Sequence, residues 1–441
     1  MKIVFTLESF FPSHRAGTEI YVLNLCKYFK KQGWEVHVLI ATSTEQKDYL
    51  YEGIPVHTFD IPANPDPKEL NGIIQPRGIE YFLDRVQKID PDVVHFHSFG
   101  RAINSFHLRA VKALGIRTVF TPHLGSLFCI KGNMRLYEKQ NCNGLVDKDR
   151  CMQCLLVSRG NSKGFSYISA KGINLFTAVP YLKEQIPSSF YQAKHRKQEL
   201  QRIGKYSDII FSIAPWIQNA FIANNITTAR LIPQGISEVF FEGTSAESCR
   251  DLKDRINFVF IGRMHPSKGF HLLKEVWDKL DEKKVQLHII TNPSGGETNY
   301  FNSFKNWGER RDNVIWNEAF SQKMVAEYLQ KMDALILPSL SNEVAPLVIL
   351  EAASKKIPVI SSDYIAMKDM VNDKVNGLLF ENGNEKDLLT QILKLVYDRE
   401  LLKSLKKGIS TPHCMMEIAA IVEKEIGSCL NDKHLEKTVE A

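Results

Sequence analysis

The stretch "SNEVAPLVILEAASKKIPVISSD", Ser341 to Asp363, sets two carboxylates, Glu343 and Glu351, around a short apolar run. Just before it "ALILPS" (334–339) is an apolar run of strand length, and "IPVIS" (357–361) is another. Between them "PLVILEAASKK" reads as a helix with Pro346 in its first turn, where a missing N–H costs nothing. Strand, polar loop, helix and strand form the unit of a parallel sheet covered on both faces. Glu343 then lies on the loop after a strand, and Glu351 roughly a turn and a half into the helix. Ligands of such sheets bind outside the carboxyl ends of the strands. Two carboxylates here suit a hydrolase's acid and base, a metal site, or grips on a ligand's hydroxyls.

The same unit recurs along the chain. "KIVFTL" (2–7) is a strand, "ESFFPSHRAGTE" a loop, and "IYVLNLCKYFKKQG" a helix with Tyr21, Leu25, Tyr28 and Phe29 at helical spacing and Gly33 at its stop. "EVHVLIAT" (35–42), "DVVHFH" (92–97), "RTVFTPH" (117–123) and "DIIFSI" (208–213) continue the pattern. A polar stretch, "EGTSAESCRDLKDR" (242–255), separates this from a second series that begins "INFVFIGRMHPSKGF" and includes "VQLHIIT" (285–291) and "NGLLF" (376–380). The expectation is α/β, two doubly wound Rossmann-like domains: residues 1–243, with a cysteine-rich insert at 126–160, and residues 256–414. An amphipathic helix and polar tail, 415–441, follow.

A chain of 441 residues exceeds one ordinary core, and 44% apolar with 24% charged residues describes a globular protein. The formal charge of +6 is modest and fits anionic small ligands; no nucleic-acid partner is expected. "MKIVFTLESFF" is too short for a signal peptide, and no uncharged run approaches the length of a membrane span. A cytoplasmic protein with reduced thiols is expected.

Three further loops carry polar groups at strand ends. "SHRAGTE" has Gly17 before a helix, where backbone amides meet a positive helix terminus. "FTPHLGS" ends a strand at His123. "IGRMHPSKGF" puts Arg263 and Lys268 on a strand-to-helix loop, two cations that make a diphosphate clamp. The last is neither a phosphate-binding Walker loop nor a nicotinamide fingerprint.

Taken in order from residue 3 to about 390, these segments resemble the retaining family-4 glycosyltransferases of the GT-B fold. The resemblance is carried by "FFPSHRAGTEIYVLNLCKYFKKQGWEVHVLIA", "PDVVHFH", "TPH", "ARLIPQGIS", "FIGRMHPSKGF" and "LPSLSNEVAPLVILEAASKKIPVISS" followed by "VNGLLF". It implies two domains facing across a cleft and transfer of a hexosyl unit from a nucleotide-diphosphate sugar, with retention. The acceptor is implied to be a saccharide or lipid-linked saccharide, as in bacterial lipopolysaccharide, capsule or exopolysaccharide assembly. By that resemblance Glu343 lies at the donor sugar and Glu351 holds the ribose hydroxyls. Arg263 and Lys268 neutralise the diphosphate, His123 sits beside the transferred sugar, and Gly17 belongs to the loop near phosphate and acceptor. No catalytic metal is implied, because the cations take that role. Two positions differ from the family pattern: Ala16-Gly17 replaces glycine-glycine, and Ala345-Pro346 replaces Phe-Gly, which removes one backbone N–H. The competing readings are a GT-B protein that binds nucleotide sugar without transferring it and a glycoside hydrolase.

Two features stand outside that scheme. Cys129, Cys142, Cys151 and Cys154 lie within 26 residues and end in C-x2-C, which reads as a structural zinc site with four thiolates. "YQAKHRKQELQRIGK" (191–205) carries five Lys/Arg against one Glu and reads either as a solvated helix or as a peripheral docking surface for the inner membrane face.

Overall fold

A computed structural model describes residues 1–42, 48–62, 64–70, 72–176, 188–243, 255–291, 298–318 and 321–439. The chain divides into two compact units, Met1–Pro233 with Met416–Ala441, and Gln234–Met415. Most of the polar stretch expected to join two domains, residues 244–254, lies outside the described residues.

The first unit is built on strands β1 (Lys2–Leu7), β2 (Glu35–Thr42), β3 (Tyr49–Tyr51), β4 (Ile54–Asp60), β5 (Val93–His97), β6 (Arg117–Thr121), β9 (Ile209–Ser212) and β10 (Ala229–Leu231). Their order is β10-β9-β6-β5-β1-β2-β4-β3, parallel throughout except for the β3–β4 hairpin. Glu52 and Gly53 both take positive φ at that hairpin turn, as a tight two-residue connection requires. The central strands are sequestered because helices cover both faces, so β5 is buried along its whole length. Strand order reverses between β1 and β5, which makes their carboxyl ends the unit's topological switch point.

Between β6 and β9 the insert forms a short antiparallel pair, β7 (Arg135–Leu136) and β8 (Gln140–Asn141), then helices Lys148–Ser158 and Lys163–Phe176. Met152, Leu156 and Ala170 give these helices a small core of their own. The C-terminal helix Met415–Val439 has no separate polar tail before Val439. It buries Ile418, Ala419, Val422 and Ile426 along one face, and Glu423 accepts a hydrogen bond from Trp34 Nε1 at 2.8 Å.

The second unit carries β11 (Ile256–Ile261), β12 (Val285–Thr291), β13 (Val314–Glu318), β14 (Ala334–Leu337), β15 (Val359–Ser362) and β16 (Gly377–Phe380). They form an all-parallel sheet in the order β13-β12-β11-β14-β15-β16. Its switch point lies between β11 and β14. The core is aromatic: Phe270 meets Phe260 and Phe304 edge-to-face with ring centroids 5.1 and 5.0 Å apart. Truncating such a buried ring typically costs about 3–5 kcal/mol, so the sheet that carries the loops is held firmly.

Candidate active site

The second unit gathers its polar groups at the switch point. The loop after β11 carries Arg263, His265, Ser267 and Lys268; the loop after β14 carries Ser339, Asn342 and Glu343. Gly269, at φ +69°, lets the loops meet, because a Cβ there would lie 1.9 Å from the Pro338 carbonyl oxygen. Leu340 N then donates to Ser267 O at 2.7 Å and ties one loop to the other. Across this junction Lys268 Nζ lies 2.8 Å from Glu343 Oε1, with both side chains largely buried. Ser339 Oγ donates to the same carboxylate oxygen at 2.7 Å, and Ser362 Oγ donates to Ser339 O at 2.8 Å.

Electrostatics separates the two glutamates. Desolvation pushes the Glu343 carboxyl up, but Lys268, the Ser339 hydroxyl and Arg263 pull it below the ordinary value, so it is ionised. Glu351, in helix Leu347–Ser354, has desolvation alone acting on it and is pushed up to about 7. Its carboxyl has no hydrogen-bond or ion-pair partner among the described residues. Pro346 stands at the N-cap of this helix, just outside the turn expected for it. Asn342 Nδ2 is buried without a hydrogen-bond partner, a donor beside Glu343 that no sequence pattern marked.

The first unit places a second set at its own switch point. His97 ends β5 and His123 follows β6, and His97 Nδ1 lies 3.1 Å from His123 Nε2. The His123 amide donates to Ser98 Oγ at 2.6 Å, and the Tyr21 ring packs edge-on against the imidazole at 5.1 Å. His95 Nε2 meets Thr121 Oγ1 at 2.8 Å. Burial pushes His123 down to about 3 and leaves His95 and His97 well below the usual histidine value, so all three are neutral. In such a chain, each ring's tautomer is set by its neighbour. His95 and His97 sat inside a strand pattern and carried no functional signal there.

Glu8, after β1, also lacked a signal. Its carboxylate accepts from Arg101 N and Ala102 N at 3.1 and 3.2 Å and so joins the loops after β1 and β5. Gly17 opens helix Gly17–Lys31, but the terminus is already served by its own chain: Ala16 N donates to Glu19 Oε2 at 2.9 Å. A phosphate at this loop has to accommodate that carboxylate, a constraint the glycine alone did not reveal.

The zinc expectation finds no support here. Among the described residues no group of three or more His, Cys, Asp or Glu side chains is arranged to hold a metal. Cys154 Sγ accepts from Tyr137 N at 3.1 Å instead. Burial pushes the Cys151 thiol up to about 12 and raises Cys142. The basic stretch 191–205 falls in helix Ser188–Tyr206 as a partly committed face: Arg196 pairs with Glu199 at 2.6 Å, and Arg202 binds Ser105 Oγ and Gly72 O.

Residues 15–141 match Glycosyltransferase Family 4, and residues 247–410 match Glycosyl transferases group 1. The chain carries two glycosyltransferase domains. Among curated relatives of this chain, an uncharacterized glycosyltransferase, MJ1178 of Methanocaldococcus jannaschii, is 25% identical over 49% of this chain and 60% of its own. Lipopolysaccharide 1,6-galactosyltransferase of Escherichia coli is 29% identical over 32% of this chain and 39% of its own. These matches therefore span less than two thirds of either relative. The putative glycosyltransferase EpsD of Bacillus subtilis is 22% identical over 86% of this chain and 84% of its own. Among solved structures, Anabaena Alr3699/HepE in complex with UDP superposes with a TM-score of 0.64 at 14% identity, covering 97% of this chain and all of that one. Sucrose-phosphate synthase of Thermosynechococcus elongatus gives 0.60 at 16% identity, covering 99% and 98%. At such identities the likeness is one of fold, GT-B, and the fold-class expectation holds.

Proposed function

We propose that this glycosyltransferase is a retaining hexosyltransferase that moves a sugar from a nucleotide-diphosphate donor to a saccharide or lipid-linked saccharide in bacterial surface-polysaccharide assembly. The observation that carries the reading is the switch-point arrangement of the second unit: Lys268 and Arg263 beside an ionised Glu343, with an enclosed, partnerless Glu351 on the following helix. Breaking a sugar–phosphate bond places negative charge on the leaving diphosphate and positive charge on the anomeric carbon. Lys268 and Arg263 stabilise the first, in the manner of preorganised charges. Glu343 orients the sugar, and Glu351 accepts hydrogen bonds from the ribose hydroxyls. The neutral His123 contacts the transferred sugar through its ring without adding charge. Retention follows if the acceptor attacks from the leaving-group face and the departing phosphate takes its proton. The relatives named for galactose transfer and the UDP-bound neighbour support a uridine nucleotide donor in first place. The reading keeps the protein on the cytoplasmic side, where such donors are held.

A panel of uridine, guanosine and adenosine diphosphate sugars, read by thermal shift, tests it. One donor is expected to raise the melting temperature of the wild type and not of Glu351→Ala. A shift that survives in that variant overturns the ribose grip, and no shift with any donor overturns the donor assignment. His123→Ala is expected to keep the shift and lose turnover.

A further inference from the structure

Helix Lys163–Phe176 of the insert leaves its largest side chains in solvent. Phe165 is 62% exposed, Ile168 73% and Leu175 72%, whereas Ser166 and Ala170 are the residues it buries. At about 100° per residue, Phe165, Ile168 and Leu175 fall within an arc of about 80°. Lys171 stands at the edge of that arc, its Nζ 4.5 Å from the ring centre of Tyr167, itself 48% exposed. Lys163 lies farther round, over the Tyr137 ring at 4.6 Å. An apolar stripe with a lysine at one border is unlike an ordinary solvated helix, which turns charges outward.

The charge of the segment says what it fits. From Arg150 to Lys183 there are five Lys/Arg and no Asp or Glu. The acidic side chain that reaches the helix from its neighbour Lys148–Ser158 is Asp149, near Lys171. Helix Lys148–Ser158 also packs against the basic helix Ser188–Tyr206, where Lys194, Lys197 and Lys205 are exposed. The docking role expected of that basic helix is partly spent on its own unit, through Arg196 and Arg202. The apolar face it lacks is on Lys163–Phe176.

We propose that helix Lys163–Phe176 is an interfacial anchor, seating Phe165, Ile168 and Leu175 among the headgroups of an anionic bilayer while Lys171 meets lipid phosphate. Buried apolar area and attraction to anionic lipid act together in such helices. The helix does not cross the bilayer: none among the described residues is long and apolar enough to span one. This binding does not depend on donor chemistry and is read without it.

The test is flotation of the full chain with phosphatidylglycerol–phosphatidylcholine vesicles and with phosphatidylcholine alone. The wild type is expected to float with the anionic vesicles, less so as salt rises. F165S combined with I168S should weaken partition by roughly tenfold per side chain with an unchanged melting temperature. K171E should weaken it by at least about fivefold. A wild type that stays with the soluble fraction, or a Phe165/Ile168 variant that floats equally well, overturns the proposal. So does a fall in that variant's melting temperature, which would mean the stripe packs on its own chain. Conversion of a wild-type dimer to a monomer with flotation intact would mean a second copy covers it, and overturns it too.

Discussion

Lys268 and Glu343 form a 2.8 Å ion pair although they come from different loops of the second unit, one after β11 and one after β14. Under the function proposed above, the pair holds a positive charge beside the place where a leaving diphosphate gains negative charge. It also keeps Glu343 ionised in a desolvated place. Removing the cation leaves a carboxylate without compensation, which costs more than the pair itself contributes. Lys268→Ala should therefore destabilise the second unit by about 2–3 kcal/mol at pH 8. The loss should shrink towards pH 5, where the orphaned Glu343 takes up a proton. Urea titrations of the variant at the two pH values decide this; equal losses at both would mean the pair is only a surface contact.

Glu351 titrates in the opposite sense. Its folded value of about 7 lies above the unfolded value of 4.5, so the native state keeps a proton that the unfolded chain has released. Stability from this group falls as pH rises from about 4.5 through 7, by up to about 3 kcal/mol at pH 8. Glu351→Gln should match the wild type near pH 4.5 and exceed it at pH 8, seen as a flatter profile of melting temperature against pH. Because ribose hydroxyls favour the ionised form, nucleotide binding near pH 7 should release up to about half a proton in the wild type and none in the variant. Calorimetry in buffers of different ionisation enthalpy measures that release, and its absence in the wild type would sink the ribose-grip assignment.

The fold class was legible because parallel strands buried on both faces read as unbroken apolar runs. "KIVFTL", "EVHVLIAT" and "VQLHIIT" became β1, β2 and β12 over the same residues. Strands β4, β10 and β13 gave no such signal. "IPVHTFD" is interrupted by Pro55 and His57, "ARL" is three residues long, and "VIWNE" lies at a sheet edge where outward positions are polar. Individual loop residues were visible as polar punctuation at strand ends. Their pairing was not, since Lys268–Glu343 and His97–His123 arise from crossovers that bring separate strand ends to one switch point. Cysteine spacing left the zinc reading without support for a complementary reason: thiols close in sequence do not by themselves arrange their Sγ atoms as a ligand set.

The buried histidines set the acid limit of the first unit. His95, His97, His123 and His107 are at most 8% exposed and held neutral by burial, with His123 near 3 and His107 near 4. Their folded values lie below the unfolded value of 6.5, so the unfolded chain binds more protons as pH falls below 6.5. The stability these groups hold at neutral pH is lost progressively down to their folded values. At pH 5 the loss is about 2 kcal/mol for each, as an upper estimate. Among its described residues the second unit has one such group, His288, near 4, and Glu351 opposes it by gaining stability over the same interval. Acidification from pH 7 to 5 should therefore lower the unfolding transition of the first unit much more than that of the second. Hydrogen exchange of amides in β5 and β6 against those in β11 and β14 reads the two separately. Equal acceleration in both sheets, or none in β5 and β6, would remove the histidine cluster as the cause of acid sensitivity.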